Sequence, residues 1–137
     1  MFETGNTTTS QMSQRALAVR FLTRTQVEIT QMKAVLPEEP IALEVPAIAQ
    51  IERMAHHITG AAESFGFPQV SAIAAAIELL THEPRAGTYR ERLLLVNRLK
   101  EQVLALEVYV EFALAERVEQ DAKAPMSAFL PGFGARK

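Results

Sequence analysis

Apolar residues recur along most of the chain at intervals of three and four, the spacing of one helix face. Almost nowhere do they alternate as a half-buried strand would. Four segments carry this pattern. In the first, from about Gln11 to Leu36, the seam is Ala18, Leu22, Thr25, Ile29, Met32 and Leu36, the two-per-heptad stripe of a bundle helix. Pro37 and Pro40, around Glu38 and Glu39, end it and make a short polar connection. The second starts near Pro46, because the first helical turn tolerates a residue without an N–H, and presents Ile48, Ile51, Ala55, Ile58, Ala62 and Phe65. Gly66 supplies its stop, since a helix end often needs a positive φ that only glycine adopts cheaply.

The third and shortest segment opens at Pro68, with Val70, Ile73, Ala74, Ile77 and Leu80 on one side. After the break at Glu83-Pro84-Arg85-Ala86-Gly87, Thr88 and Glu91 stand at capping-box spacing and start the last helix, which runs to about Gln120. Its seam is Leu93, Val96, Leu99, Val103, Leu106 and Val110. Leu94, Leu95, Leu104, Val108 and Phe112 widen that face, as expected of a helix packed against several neighbours. Short connections make successive helices antiparallel. The expected fold is all-α: an antiparallel up-down-up-down four-helix bundle over residues 11–120, with a non-helical C-terminal tail. Polar residues 1–10 are expected to form a flexible N-terminus. In the tail, residues 121–137, Pro125, Pro131, Gly132 and Gly134 argue against helix, and Phe129, Leu130 and Phe133 are available to pack back or bind something.

Composition narrows the function classes. A length of 137 residues fits one domain, and 48% hydrophobic residues suffice for one core. A net charge of −2 gives no broad basic field, which argues against nucleic-acid binding. The absence of cysteine excludes disulfides, thiolate metal sites and cysteine nucleophiles. No apolar run approaches the ~20 residues that cross a bilayer, and the N-terminus lacks the pattern of a signal peptide. A cytoplasmic protein with no membrane partner is expected. No glycine-rich phosphate loop is present, so no ATP site is expected.

One stretch carries candidate chemistry, Ala55 to Gly66. At ~100° per residue, His56 and His57 each lie roughly 130° from the centre of the second seam, on opposite sides. Both are expected to be at least partly wet, and periodicity does not choose between them. Gly60 sits one turn beyond His56. A glycine inside a helix costs ~1 kcal/mol against alanine, which invites a reason such as close approach of another molecule to the neighbouring imidazole. An exposed histidine beside cleared space suits in-line attack on a phosphoryl group, chemistry that rests on positioning and charge stabilisation. Adjacent helical residues diverge by about 100°, so His56 and His57 are poor partners for one metal ion. His82, beside a loop, is expected to be solvated.

Together these residues resemble the motif of histidine-containing phosphotransfer (HPt) domains: Ala-His-x-Leu-Lys-Gly, then small residues and a second glycine ten positions after the histidine. Ala55, His56, Ile58 and Gly60 match, Ala61 and Ala62 supply the small residues, and Gly66 stands ten after His56. Val70 to Glu78 resembles the family's Leu- and Ala-rich third helix. The resemblance selects His56 as phosphoryl carrier, because the glycine is fourth after it, and leaves His57 a solvated flank residue. It implies that Glu78 hydrogen-bonds the imidazole. Thr59 replaces the usual lysine and brings a hydroxyl without charge; Arg53, one turn before His56, is the nearest substitute.

The resemblance further implies a phosphorelay shuttle without kinase activity, and because both ends of the chain look natural a free-standing, monomeric protein is expected. It would pass a phosphoryl group between response-regulator receiver aspartates or from a hybrid histidine kinase, with no cofactor of its own and Mg²⁺ supplied in the partner receiver domain. The alternative is a phosphorylation-incompetent helical module that sequesters or inhibits a signalling protein, and Thr59 is its best support; a third possibility is a dimeric scaffold built on the wide last helix.

Overall fold

A computed structural model describes the backbone of residues 2–39, 43–82 and 87–136, and side chains over 13–39, 43–82 and 87–119. Four helices follow one another, α1 (Phe2–Val35), α2 (Val45–Ser64), α3 (Pro68–Thr81) and α4 (Tyr89–Arg136). Among the described residues there is no strand, and no helix is long and apolar enough to cross a membrane.

The seams read from the sequence form the core. All six seam residues of the first segment are buried, Leu36 just past the end of α1, together with Ile48, Ile51, Ala55, Ile58 and Ala62 of α2, Val70, Ala74 and Ile77 of α3, and Val96, Leu99, Val103, Leu106 and Val110 of α4. Thr25 sits wholly inside because its hydroxyl donates to the Phe21 carbonyl at 2.8 Å, which satisfies the one polar group the seam carries. Pro46 occupies the first turn of α2 as expected. The helix ends in a Schellman motif. The Phe67 N–H donates to the Ala62 carbonyl at 2.8 Å and the Gly66 N–H to the Glu63 carbonyl at 3.2 Å, with Gly66 at φ +81°. At the start of α4 the Glu91 N–H donates to Thr88 Oγ1 at 3.2 Å, and the Thr88 hydroxyl donates to the Glu91 carboxylate at 2.8 Å.

Among the described residues each helix packs on two others, in the cyclic order α1, α2, α3, α4, and the backbones of diagonal helices do not approach closely. Side-chain pairs give the directions. Phe21 stacks on Phe65 at 5.2 Å, whereas Glu28, further along α1, lies near His57, earlier in α2. Along α2 and α3 the partners run Glu52–His82, His56–Glu78 and Thr59–Ser71, so these helices are antiparallel. Lys33, near the end of α1, reaches Glu107 of α4 at 3.0 Å, while Ala18 and Arg117 border one cleft at the other end, so α4 opposes α1.

Three expectations need correction. The apolar flank of α4 is not covered: Leu95 is buried, but Leu94, Leu104, Val108 and Phe112 are each at least half exposed. The reason is that among the described residues α4 packs only on α1 and α3, which cover one side of it. The C-terminal segment expected to be non-helical continues α4 to Arg136. Proline removes one helical hydrogen bond but its fixed φ remains helical, and Ala122, Ala124, Met126, Ala128 and Leu130 are good helix formers. Phe129, Leu130 and Phe133 lie outside the residues whose side chains are described. Upstream, α1 begins at Phe2 rather than near Gln11, because extending a formed helix costs far less than nucleating one.

Candidate functional site

The site lies where α2 and α3 run side by side. Ile51, Ala55, Ile58 and Ala62 turn into the core and fix the rotation of α2, which leaves His56 pointing outward next to α3. His56 Nδ1 stands 2.8 Å from Glu78 Oε2 of α3. The imidazole side chain is 72% exposed while the Glu78 side chain is 23% exposed, so the ring is accessible and its partner is sheltered. A carboxylate accepts but does not donate. The Nδ1–H therefore donates to Glu78, and Nε2 of the neutral ring keeps its lone pair.

The space beside the ring is clear. Gly60 is exposed, and a Cβ placed there would meet no heavy atom within 4 Å. Thr59, half-buried one residue earlier, is committed to the scaffold: its hydroxyl donates to the Ala55 carbonyl at 2.8 Å, and its own carbonyl accepts from the Ser71 hydroxyl at 2.9 Å. The Thr59 hydroxyl is thus engaged inside α2. Arg53 is exposed on α2, and among the described residues no hydrogen bond or ion pair joins it to His56 or Glu78. Gly66 acts at a distance by ending α2 and turning the chain into α3.

His57 is exposed and its ring centroid lies 6.5 Å from that of His56. It faces the other way, toward α1, where with Arg20, Arg24, Glu28 and Phe65 it lines an open cleft of about 890 Å³. Burial pushes the Glu28 carboxyl above the ordinary glutamate value, with Arg24 and His57 pulling it back down.

His82 is exposed, as expected, but it also has a partner that the sequence reading did not foresee. Its Nε2 pairs with Glu52 of α2, one turn from the His56–Glu78 contact. A signal for this was present: Glu52 and His56, like Glu78 and His82, stand four apart, and on antiparallel helices two such pairs cross-link reciprocally. Among the described residues no cluster of three His, Cys, Asp or Glu side chains could hold a metal ion.

The arrangement is thus a solvent-facing imidazole with Nδ1 against a sheltered carboxylate and bare backbone alongside. Neither a curated protein nor a solved structure matches the chain. The family model for the Hpt domain matches residues 16–109, a span that contains α2, α3, His56 and Glu78. That span exceeds half of the chain, so this protein belongs to the Hpt domain family, the phosphocarrier modules of two-component phosphorelays.

Proposed function

We propose that the chain is a phosphorelay shuttle that carries a phosphoryl group on Nε2 of His56 between receiver domains. The exposed imidazole held by a sheltered carboxylate is the observation that carries this reading. A receiver phosphorylated on aspartate docks over α2 and α3 at Gly60. The Nε2 lone pair attacks phosphorus, the bond from phosphorus to the aspartyl oxygen breaks, and the receiver's carboxylate departs with that electron pair. Positive charge develops on the ring as the new N–P bond forms, and Glu78, accepting from Nδ1–H, offsets it. A second receiver aspartate then attacks the phosphorus and takes the group onward.

Neutralising the phosphoryl oxygens falls to the receiver and its Mg²⁺, because Thr59 has no charge and its hydroxyl is already engaged. The chain itself has no kinase role in this scheme, and a hybrid histidine kinase is a further candidate donor. The reading places the chain in the cytoplasm, where receiver domains work.

The missing cation favours one rival, a helical module that binds a signalling protein without being phosphorylated. Incubation with a phosphorylated receiver separates the two. The shuttle gives an acid-labile, base-stable label that is lost in His56→Gln and kept in His57→Gln. Binding without label from any receiver establishes the rival, and label retained in His56→Gln overturns the assignment of the acceptor.

A further inference from the structure

The outer side of α4 is more apolar than a solvated helix face needs to be. Leu94, Leu104, Val108 and Phe112 are each at least half exposed. At about 100° per residue they share a sector of roughly 80°, opposite the buried Leu99, Val103, Leu106 and Val110. From Leu104 to Phe112 the stripe is unbroken for about 12 Å along the axis, and Leu94 lies beyond the exposed Asn97 and Glu101, which fall in the same sector. Scattered exposed leucines need no explanation, but an aligned stripe does.

Charge along α4 indicates what covers it. Of the charges that flank this sector, Arg98 and Lys100 lie toward its N-terminal end and Glu111 and Glu116 toward its C-terminal end, whereas Glu107 pairs with Lys33 of α1 and Arg117 lies over Phe67. A two-fold contact uses the same patch twice, so the patch must complement itself. This one does so only head to tail, since a parallel pairing would set like charges side by side.

We propose that the outer face of α4 docks against a second copy of this chain, the two α4 helices antiparallel about an axis between Leu104 and Val108. Leu104 then faces Val108 of the other copy, and Lys100 stands near its Glu111. The site is undisturbed, because among the described residues the backbone of α4 does not approach that of α2, the helix that bears His56. The assembly departs from the monomer expected from the sequence. A single helix pair belongs at the low end of interface sizes, so the dimer is concentration-dependent.

Sedimentation equilibrium of the full chain from micromolar to millimolar concentration tests this. The expected result is a reversible monomer–dimer equilibrium, weakened about tenfold or more by Val108→Glu and by Lys100→Glu or Glu111→Lys alone. The double variant Lys100→Glu/Glu111→Lys restores it. Circular dichroism checks that each variant keeps its helices. A chain monomeric throughout, a dimer indifferent to Val108→Glu, or a double variant as weak as the singles overturns the proposal.

Discussion

Glu52 and His82 form the same kind of contact between α2 and α3 as His56 and Glu78 do one turn away, with the histidine and the carboxylate exchanged between the helices. The two rungs are related by position but not by consequence. Only the His56 rung has the open backbone of Gly60 beside it, so only that rung is expected to matter for phosphotransfer.

Glu78→Gln is expected to slow phosphorylation of His56 about 10- to 100-fold, the equivalent of the ~1.5–3 kcal/mol of a hydrogen bond to a charged group. Receiver affinity should change little, since Glu78 lies behind the ring. Rapid-quench kinetics with a phosphorylated receiver, compared with binding of the unphosphorylated one, separates the two quantities. An equal loss in both would move Glu78 from positioning the imidazole to docking.

His82→Gln, by contrast, is expected to leave the phosphotransfer rate within about twofold and to cost less than ~1 kcal/mol of stability, because both partners of that rung are substantially exposed and screened. Urea unfolding and the same kinetic assay check this. A slowing as large as that of Glu78→Gln would mean that the two rungs act as one network.

The two glycines of the motif are expected to respond in opposite directions. Gly60→Ala adds a methyl group where nothing lies within 4 Å, and should stabilise the fold by about 0.5–1 kcal/mol. A longer side chain, as in Gly60→Gln, should weaken the receiver's approach without unfolding the bundle. Gly66→Ala forces a Cβ into φ +81° and should destabilise by about 1–2 kcal/mol. Thermal melts rank the variants, and receiver titrations show the effect on docking.

Much of this site was legible in the sequence. Spacing of three and four identified the buried seams of α1 and α2, and the interval from His56 to Gly60 separated it from His57 once the family motif was considered. The outer face of α4 was misread because hydrophobicity is a one-way signal: buried positions are apolar, but Leu104, Val108 and Phe112 show that apolar positions need not be buried. The Glu52–His82 contact was missed because it exists only when two helices are set side by side in register. The engagement of the Thr59 hydroxyl by the Ala55 carbonyl is a local choice between partners that the residue type does not announce.

Glu28 provides a pH-dependent check on the other side of α2. Burial raises its carboxyl in the folded chain above the ordinary value, so the folded state holds that proton more tightly than the unfolded one. Its contribution is most favourable at low pH and is lost as pH rises from the ordinary glutamate value through the raised one. Glu28→Gln is therefore expected to raise the melting temperature at neutral pH, with the gain fading as the medium is acidified through the carboxylate range. An advantage independent of pH would assign the effect to packing.

The assignment of the reacting atom is tested most directly by nitrogen–phosphorus NMR of the ¹⁵N-labelled protein after exposure to a phosphorylated receiver. The expected spectrum contains one phosphohistidine, bonded through Nε2 of His56, with the Nδ1–H signal of the same ring retained against Glu78. A phosphoryl group on Nδ1, on His57, or on no histidine would contradict the account.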